Sequence, residues 1–330
     1  MKINLLSPLL LFLVFCSSMN AQKLPILTEN QRVRQLEPPK GKVRMVLDTD
    51  TYNEIDDQFA LVYAILSSDK LDIEAVYAAP FLNHRVNSAG EGMAKSYEEI
   101  LRILKKMDVT PDGFVFKGSS DFIRDVEKPE VSPAALDLIK KAKLSSPDDP
   151  LYVVAIGAIT NVSNAILIDT SIIRNIVVVW LGGNAHSWPQ QREFNFYQDI
   201  PASRTIFDCG VPLVQLPCTP VVTHLTTTVP EMERYVGGRG AIGDYLLKIF
   251  KEFQEDNFAW SKVLWDMSAI SYVINPENTP SNLEHSPIVN DECTFSFDPS
   301  RHLIRVVYFV HRDPIFRDFF TKIEKSKFSN

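Results

Sequence analysis

The chain alternates short apolar segments with longer ones in which apolar residues recur every three or four positions. The short segments have the length and composition of buried strands, and they are Val43–Leu47, Asp72–Ala79, Leu151–Ile156, Asn175–Leu181 and Pro212–Leu216. Those with helical spacing are Asp56–Ser67, Ser88–Lys106, Asn161–Ile168, Pro201–Cys209, Gly240–Asn257 and Asp266–Ile274. This alternation predicts an α/β fold with a doubly wound, mostly parallel central sheet and helices on both faces.

The first residues have the pattern of a secretory signal. Lys2 is followed by the apolar stretch 5–16, and the small residue Ala21 follows a short polar segment. The pattern predicts that 1–21 is a signal peptide and that the mature chain is exported, to the periplasm or outside the cell. The bulky Phe15 before Cys16 disfavours a lipid anchor at that cysteine. The stretch is too short to span a bilayer, and we find no other transmembrane candidate.

The remaining chain divides into a linker and one domain. Residues 22–42 are polar and contain prolines, which predicts a linker, and 43–330 then form a single domain. Near the end of that domain, the segments Cys293–Phe297 and Leu303–Val310 suggest two antiparallel strands. A closing helix is expected from about Asp313.

Composition and charge are those of an ordinary globular protein. The 330 residues are 45% apolar and 23% charged, and the formal net charge is −7. A negative chain of this kind does not indicate a surface for nucleic acid or for an anionic membrane.

A cluster of carboxylates follows the first predicted strand. Asp48, Asp50, Glu54, Asp56 and Asp57 lie close together in the sequence, and no Lys or Arg lies between them. The last two could act as capping residues at a helix N-terminus, but this leaves the other three unexplained. A hard divalent cation, which prefers oxygen ligands, accounts for the whole cluster. In a doubly wound sheet, ligands bind beyond the carboxyl ends of the strands, where this cluster lies.

The same segment also resembles the DxDx[TV] signature of haloacid-dehalogenase-like phosphatases. In that class the first aspartate, here Asp48, attacks phosphorus. Tyr52 stands where Thr or Val is expected, and no convincing downstream Lys with an acidic pair follows a strand. The phosphatase is therefore kept as an alternative.

Five segments, taken in order, resemble the nucleoside hydrolase family over residues 43–325. The acidic cluster resembles the family's DxDxxxDD motif, with five residues between Asp50 and Asp56 where the common pattern has three. The later matches are Ile156–Asn161 to LGPLTN, Val179–Gly183 to the MGG strand end, Arg192–Asn195 with Asp199–Ser203 to EFN…DPEAA, and Val263–Ala269 to HDPxA.

The resemblance implies hydrolysis of the N-glycosidic bond of ribonucleosides to base and ribose, with Ca²⁺ as the metal. Asp50 would be a metal ligand and the general base. Asp57, the carbonyl oxygen of Thr160, and Asp266 would complete the protein ligands. Asp48 would brace the loop from behind.

The resemblance also implies a set of substrate-binding residues. Asp56, Glu193 and Asn195 would hold ribose hydroxyls, and Asn184 would lie on the 5′ side. The remaining substrate-binding candidates are Asn83 after the second strand, Leu181 in place of the family's Met, Trp265 and Asp266.

Trp265 replaces the His of family members with broad preference and resembles the purine-preferring branch. An indole cannot act as an acid, but it can stack on a purine and favour its protonated form.

Two further expectations concern binding and assembly. A non-catalytic nucleoside or sugar binder could retain the same metal site, so this alternative stays open. Family members often form dimers or tetramers, so a homo-oligomer is possible by analogy.

Overall fold

A computed structural model describes residues 27–326 of the chain, and its strands and helices alternate for most of that length. The strands are β1 (Val43–Thr49), β2 (Leu71–Ala78), β3 (Val115–Lys117), β4 (Leu151–Ala155), β5 (Ile176–Leu181), β6 (Leu213–Leu216), β7 (Thr226–Thr227), β8 (Lys262–Val263), β9 (Ser281–His285), β10 (Ile288–Val289), β11 (Phe295–Ser296) and β12 (Leu303–Val307).

The eleven α-helices of the described residues range from 4 to 18 residues in length. They are α1 (Glu29–Gln35), α2 (Asp56–Leu66), α3 (Ala89–Lys106), α4 (Pro133–Lys143), α5 (Thr160–Ile168), α6 (Phe194–Tyr197), α7 (Ile200–Asp208), α8 (Val229–Tyr235), α9 (Gly240–Phe253), α10 (Met267–Ile274) and α11 (Arg312–Lys325).

Eight strands form the central sheet, in the order β3-β2-β1-β4-β5-β6-β12-β9. All neighbours are parallel except β12 and β9, which are antiparallel. The predicted mostly parallel α/β sheet is confirmed. The carboxyl ends of β1, β4, β5 and β6 therefore lie along one edge of the sheet, which is where ligands bind in such folds.

The sheet separates two apolar cores, which explains why the central strands are apolar throughout. In β1, Met45 and Leu47 belong to one core and Val46 to the other. In β5, Val177 and Val179 pack on the first side, while Trp180 packs on the second. Burial on both faces is typical of parallel strands covered by helices.

The predicted linker 22–42 is wrong for the part that the structure describes. Residues 29–35 form α1, whose N-terminus has a capping box between Thr28 and Gln31. Leu27 and Leu36 are buried, and the Leu36 carbonyl oxygen accepts a hydrogen bond from the Arg305 guanidinium on β12. This segment therefore packs on the domain. The predicted signal peptide lies outside the described residues.

The predicted pairing near the end of the chain is also wrong. Phe295–Ser296 pairs with β10, while β12 lies between β6 and β9 in the main sheet. The β12–β6 pair is parallel and joins residues far apart in sequence, so local alternation cannot predict it. Between residues 27 and 326, no helix combines the length and apolar character needed to cross a bilayer.

Candidate active site

The acidic cluster lies at the junction between β1 and α2. Asp48 is the penultimate residue of β1, and Asp56 and Asp57 are the first two residues of α2. Asp48 and Asp50 are completely buried, and Asp56 and Asp57 are nearly so. At the start of a helix the backbone N–H groups and dipole favour negative charge, which offsets part of the burial cost for Asp56 and Asp57.

A carboxylate from the far end of the chain joins this cluster. Asp266 immediately precedes α10 and is buried. Ligand oxygens of Asp56, Asp57 and Asp266 all lie within 4.8 Å of one another. The backbone N–H of Trp265 donates to Asp56 Oδ2 at 3.1 Å, and the Thr49 hydroxyl donates to Asp57 Oδ1 at 2.5 Å. The cluster thus joins two segments separated by about 210 residues.

Asp50 lies beside this triad with both carboxylate oxygens unpaired among the described residues. Burial, followed by the charges of Asp57 and Asp56, raises its pKa well above the ordinary range. The Gly157 backbone lies against it, since a Cβ built on that glycine would approach the Asp50 carboxyl carbon to 3.0 Å. A larger residue here would require the Asp50 side chain to shift by a few tenths of an ångström.

The pKa values of the neighbouring carboxyl groups are raised for the same reason. Burial raises the pKa of Asp56 to about 6 and that of Asp57 to about 8. Burial and the charges of Asp56 and Asp57 raise the pKa of Asp266 well above normal. Buried carboxylates that repel one another, two of whose oxygens lack a hydrogen-bond partner, are a donor set that fits a hard divalent cation.

Asp48 lies behind the cluster. Its Oδ1 accepts a hydrogen bond of 2.8 Å from Asn161 Nδ2, and burial raises its pKa to about 7. Asp48 does not line the cavity described below. A nucleophile must contact its substrate, so this position disfavours the phosphatase alternative and agrees with the predicted bracing role.

A cavity of about 450 Å³ opens over the acidic cluster. This volume suits a small molecule. Nine of the predicted site residues line it: Asp50, Asp56, Asp57, Leu181, Asn184, Glu193, Asn195, Trp265 and Asp266. The sequence motifs, although far apart in the chain, therefore meet around one space.

Two predicted site residues lie outside this lining. Asn83 donates from Nδ2 to Asn53 Oδ1 at 2.8 Å and so braces the loop that carries Asn53, which does line the cavity. Thr160 is the first residue of α5, directly beyond β4, and its hydroxyl donates to Asp199 Oδ2 at 2.7 Å. Its position at the same sheet edge is compatible with a ligand role for its carbonyl oxygen.

The polar wall opposite the cluster is held by backbone contacts. Glu193 caps α6 and accepts three backbone N–H groups, from Gly183, Asn195 and Phe196, at 2.9–3.1 Å. Asn195 donates from Nδ2 to the carbonyl oxygens of Ile156 and Leu181, both at 3.1 Å. These contacts tie the ends of β4 and β5 to α6 and fix both side chains at the cavity.

Asn184 is fixed in the same way by its neighbours. Its Oδ1 accepts the Thr219 N–H at 3.1 Å, and its Nδ2 donates to the Gln190 carbonyl oxygen at 3.0 Å. The side chain is therefore already oriented at the cavity wall.

Sequence reasoning missed several residues around the cavity. Phe194, Arg192, Cys218 and Trp188 line it, but none of them was among the predicted site residues. It also missed Lys262, whose ammonium group forms an ion pair with Glu54. The sequence shows no basic residue between Asp48 and Asp57, so a lysine partner from a distant segment was not expected.

A larger groove of about 1300 Å³ lies between α3 and α9, but it contains no member of the aspartate cluster. Of the residues lining the cavity over the cluster, only Glu54 also lines this groove. The smaller cavity is therefore the candidate active site.

The sequence model of the inosine-uridine preferring nucleoside hydrolases matches residues 45–306. This chain belongs to that family. The match runs from β1 into β12, so it contains every predicted site residue of this nucleoside hydrolase family member.

Relatives of the chain include hydrolases with different base preferences. The pyrimidine-specific ribonucleoside hydrolase RihB of Escherichia coli is 28% identical over 142 residues, covering 41% of this chain and 45% of the relative. The match thus spans less than half the length of that curated relative.

Two solved structures show the same fold. A plant nucleoside hydrolase matches with a TM-score of 0.66 and 19% identity, covering 87% of this chain and 100% of the other. A purine-preferring ribonucleoside hydrolase from Gardnerella vaginalis matches with a TM-score of 0.65 and 19% identity, covering 85% and 98% respectively.

Proposed function

We propose that this chain hydrolyses the N-glycosidic bond of ribonucleosides to a free base and ribose, with purine nucleosides preferred. One observation carries the proposal. In a member of the nucleoside hydrolase family, Asp50, Asp56, Asp57 and Asp266 line one small cavity together with Trp265. These are the side chains needed for a cation, a water-activating base and a stacking surface.

The donor set would hold Ca²⁺. Asp50, Asp57, Asp266 and the Thr160 carbonyl oxygen are the proposed protein ligands, and oxygen-only sites of this kind suit calcium. A bound cation supplies positive charge that lowers the pKa of water and offsets the mutual repulsion of the carboxylates.

The remaining roles, those of the general base and of the ribose-binding groups, are assigned to side chains of the cavity. Asp50 is the general base that accepts a proton from the attacking water, since its two oxygens have no other partner in the described structure. Asp56, Glu193 and Asn195 grip the ribose hydroxyls. Since Asn195 donates to the carbonyl oxygens of Ile156 and Leu181 through Nδ2, its Oδ1 stays available to accept a hydroxyl hydrogen.

The proposed purine preference rests on the aromatic residues that would contact the leaving base. The bond breaks through an oxocarbenium-like state, so negative charge builds up on the base as it leaves. The aromatic residues Trp265, Trp188 and Phe194 line the cavity and could offer their π faces to a base. Such faces favour a flat bicyclic base and its protonated form.

Export is a further proposal, which rests on the signal pattern of residues 1–21. The substrate would then be met outside the cytoplasm. A homo-oligomer is proposed by family analogy alone.

A nucleoside panel tests the proposed activity. The mature chain is incubated with Ca²⁺ and inosine, guanosine, adenosine, uridine or cytidine, and release of reducing sugar is measured. We expect release that is fastest with a purine nucleoside and is abolished by a chelator. Binding without release from any nucleoside would favour the non-catalytic binder instead. Magnesium-dependent release of phosphate from a phosphomonoester would favour the phosphatase.

A further inference from the structure

Among the described residues, Lys262 is the lysine whose ammonium group forms an ion pair with the β1–α2 loop, whereas Lys95 lies over the Tyr52 ring of that loop. Lys262 lies on β8, which pairs with β7 through Thr227, and its side chain is only 10% exposed. Its ammonium group forms an ion pair with Glu54, and it lies 4.9 Å from the centre of the Phe253 ring. A lysine this buried needs a carboxylate partner, and Glu54 is that partner.

The segment that carries Lys262 continues directly into the site. Leu264 N–H donates to the Leu225 carbonyl oxygen at 3.0 Å, which fixes this segment to its neighbour. Trp265 N–H then donates to Asp56 Oδ2 at 3.1 Å. Two contacts, Lys262 with Glu54 and Trp265 with Asp56, therefore join the β1–α2 loop to the segment 262–266.

The opposite side of the loop is held by different groups. The Arg85 guanidinium donates to the Tyr52 carbonyl oxygen at 3.0 Å, and Asn83 donates to Asn53. Glu54 is the residue of the loop whose side chain faces 262–266, and it is 42% exposed. Without the ion pair, the hydrogen bond from Trp265 to Asp56 would still join the two segments, but the loop residues 51–55 would lose their contact with Lys262.

We propose that Lys262 is a positioning residue: its ion pair with Glu54 holds the loop 51–55 against the segment 262–266, so that Asp56 and Trp265 are fixed relative to each other. The proposal rests on the proposed function, in which Asp56 binds a ribose hydroxyl and Trp265 stacks on the base. Lys262 does not line the cavity and is not a catalytic residue. Its loss should therefore weaken substrate binding more than it slows the chemical step.

Kinetics of four variants test this role. With the best nucleoside of the panel, Lys262→Met should raise KM by about tenfold or more and change kcat by less than about threefold. Lys262→Arg keeps the charge and should stay within about threefold of the wild type in both constants. Lys262→Glu alone should raise KM. The Glu54→Lys, Lys262→Glu double variant, in which the two charges are exchanged, should bring KM much of the way back to the wild-type value.

A matched control separates this role from a general effect of losing a lysine. Lys322 on α11 is also mostly buried and pairs with Asp69 and Asp318, at 16% exposure. Lys322→Met should leave KM unchanged. An unchanged KM in Lys262→Met, a loss confined to kcat, or a double variant no better than Lys262→Glu would each overturn the proposal.

Hydrogen–deuterium exchange gives a readout that does not depend on turnover. Peptides covering 51–56 should exchange faster in Lys262→Met than in the wild type or Lys262→Arg. Equal exchange would contradict the positioning role. If the wild type released no sugar from any nucleoside but the exchange difference appeared, the proposed function would fail while the positioning role stood.

Discussion

At the scale of single residues, the burial of the Asp50 carboxylate is not explained by a contribution to folding stability. It is completely buried, and neither oxygen has a partner in the part of the chain described. A buried, unpaired carboxylate is costly, so its retention points to a function outside the fold. Its predicted function is that of base and metal ligand.

Asp50→Asn tests that function with little change in shape. An amide cannot accept a proton from water, so kcat should fall by roughly 10²–10⁴-fold. Initial rates of sugar release with Ca²⁺ measure this, and circular dichroism checks that the variant is folded. A rate close to that of the wild type would remove Asp50 from the role of base.

Trp265 decides the proposed base preference. In Trp265→Leu the apolar volume is largely kept but the π face is lost, so kcat/KM for inosine should fall by roughly tenfold. For uridine it should change less, and Trp265→Phe should retain most of the purine activity. A purine-to-pyrimidine ratio that is the same in all three proteins would show that Trp265 does not select the base.

At the scale of secondary-structure elements, Glu193 links α6 to the strand ends. Its carboxylate caps this short helix and also accepts the N–H of Gly183 after β5. Burial raises its pKa to about 7, and the three backbone N–H groups only partly offset this. The folded state therefore retains a proton on Glu193 at pH values where the unfolded chain, with a pKa near 4.5, has lost it.

The consequence is a measurable pH dependence of stability. Because the folded-state pKa is raised, the stabilisation is complete below about pH 4.5 and is lost as the pH rises towards 7. In Glu193→Gln this loss should disappear. Between pH 5 and 7 the free energy of unfolding should therefore fall by about 1–3 kcal/mol less in the variant than in the wild type. Urea unfolding in the presence of a chelator measures the slope, and identical slopes would contradict the assignment.

Elements with a strong local pattern could be predicted from the sequence, whereas those that depend on distant partners could not. The strand–helix pairs β1–α2 and β4–α5 were predicted to within about two residues of their bounds because their apolar residues follow a clear local pattern. The strand β12 was found, but its neighbours were wrong, since β6 and β9 are selected by tertiary packing. The short helix α1 was missed although Thr28 and Gln31 form a capping box.

At the scale of the whole molecule, the candidate site is assembled from the segments that follow β1, β4, β5 and β6 of the central sheet, together with the segment between β8 and α10. Asp50, Asp56 and Asp57 could be predicted because five carboxylates follow one strand with no basic residue between them, and Asp266 because its segment resembles the HDPxA motif. The ion pair between Lys262 and Glu54 could not, because it joins residues 208 positions apart. The position of Asn83 beneath the loop was missed for the same reason, since its contact with Asn53 depends on the path of that loop.

The central claim is that carboxylates from both ends of the chain hold one divalent cation, and calorimetric titration tests it most directly. Ca²⁺ titrated into the metal-free protein at pH 7.5 should bind at a single site per chain. Asp57→Asn and Asp266→Asn should each weaken binding by at least about tenfold, because each removes a charged oxygen ligand. The exposed Asp148→Asn should bind as the wild type does. No binding to the wild type, or equal affinity in all four proteins, would contradict the claim.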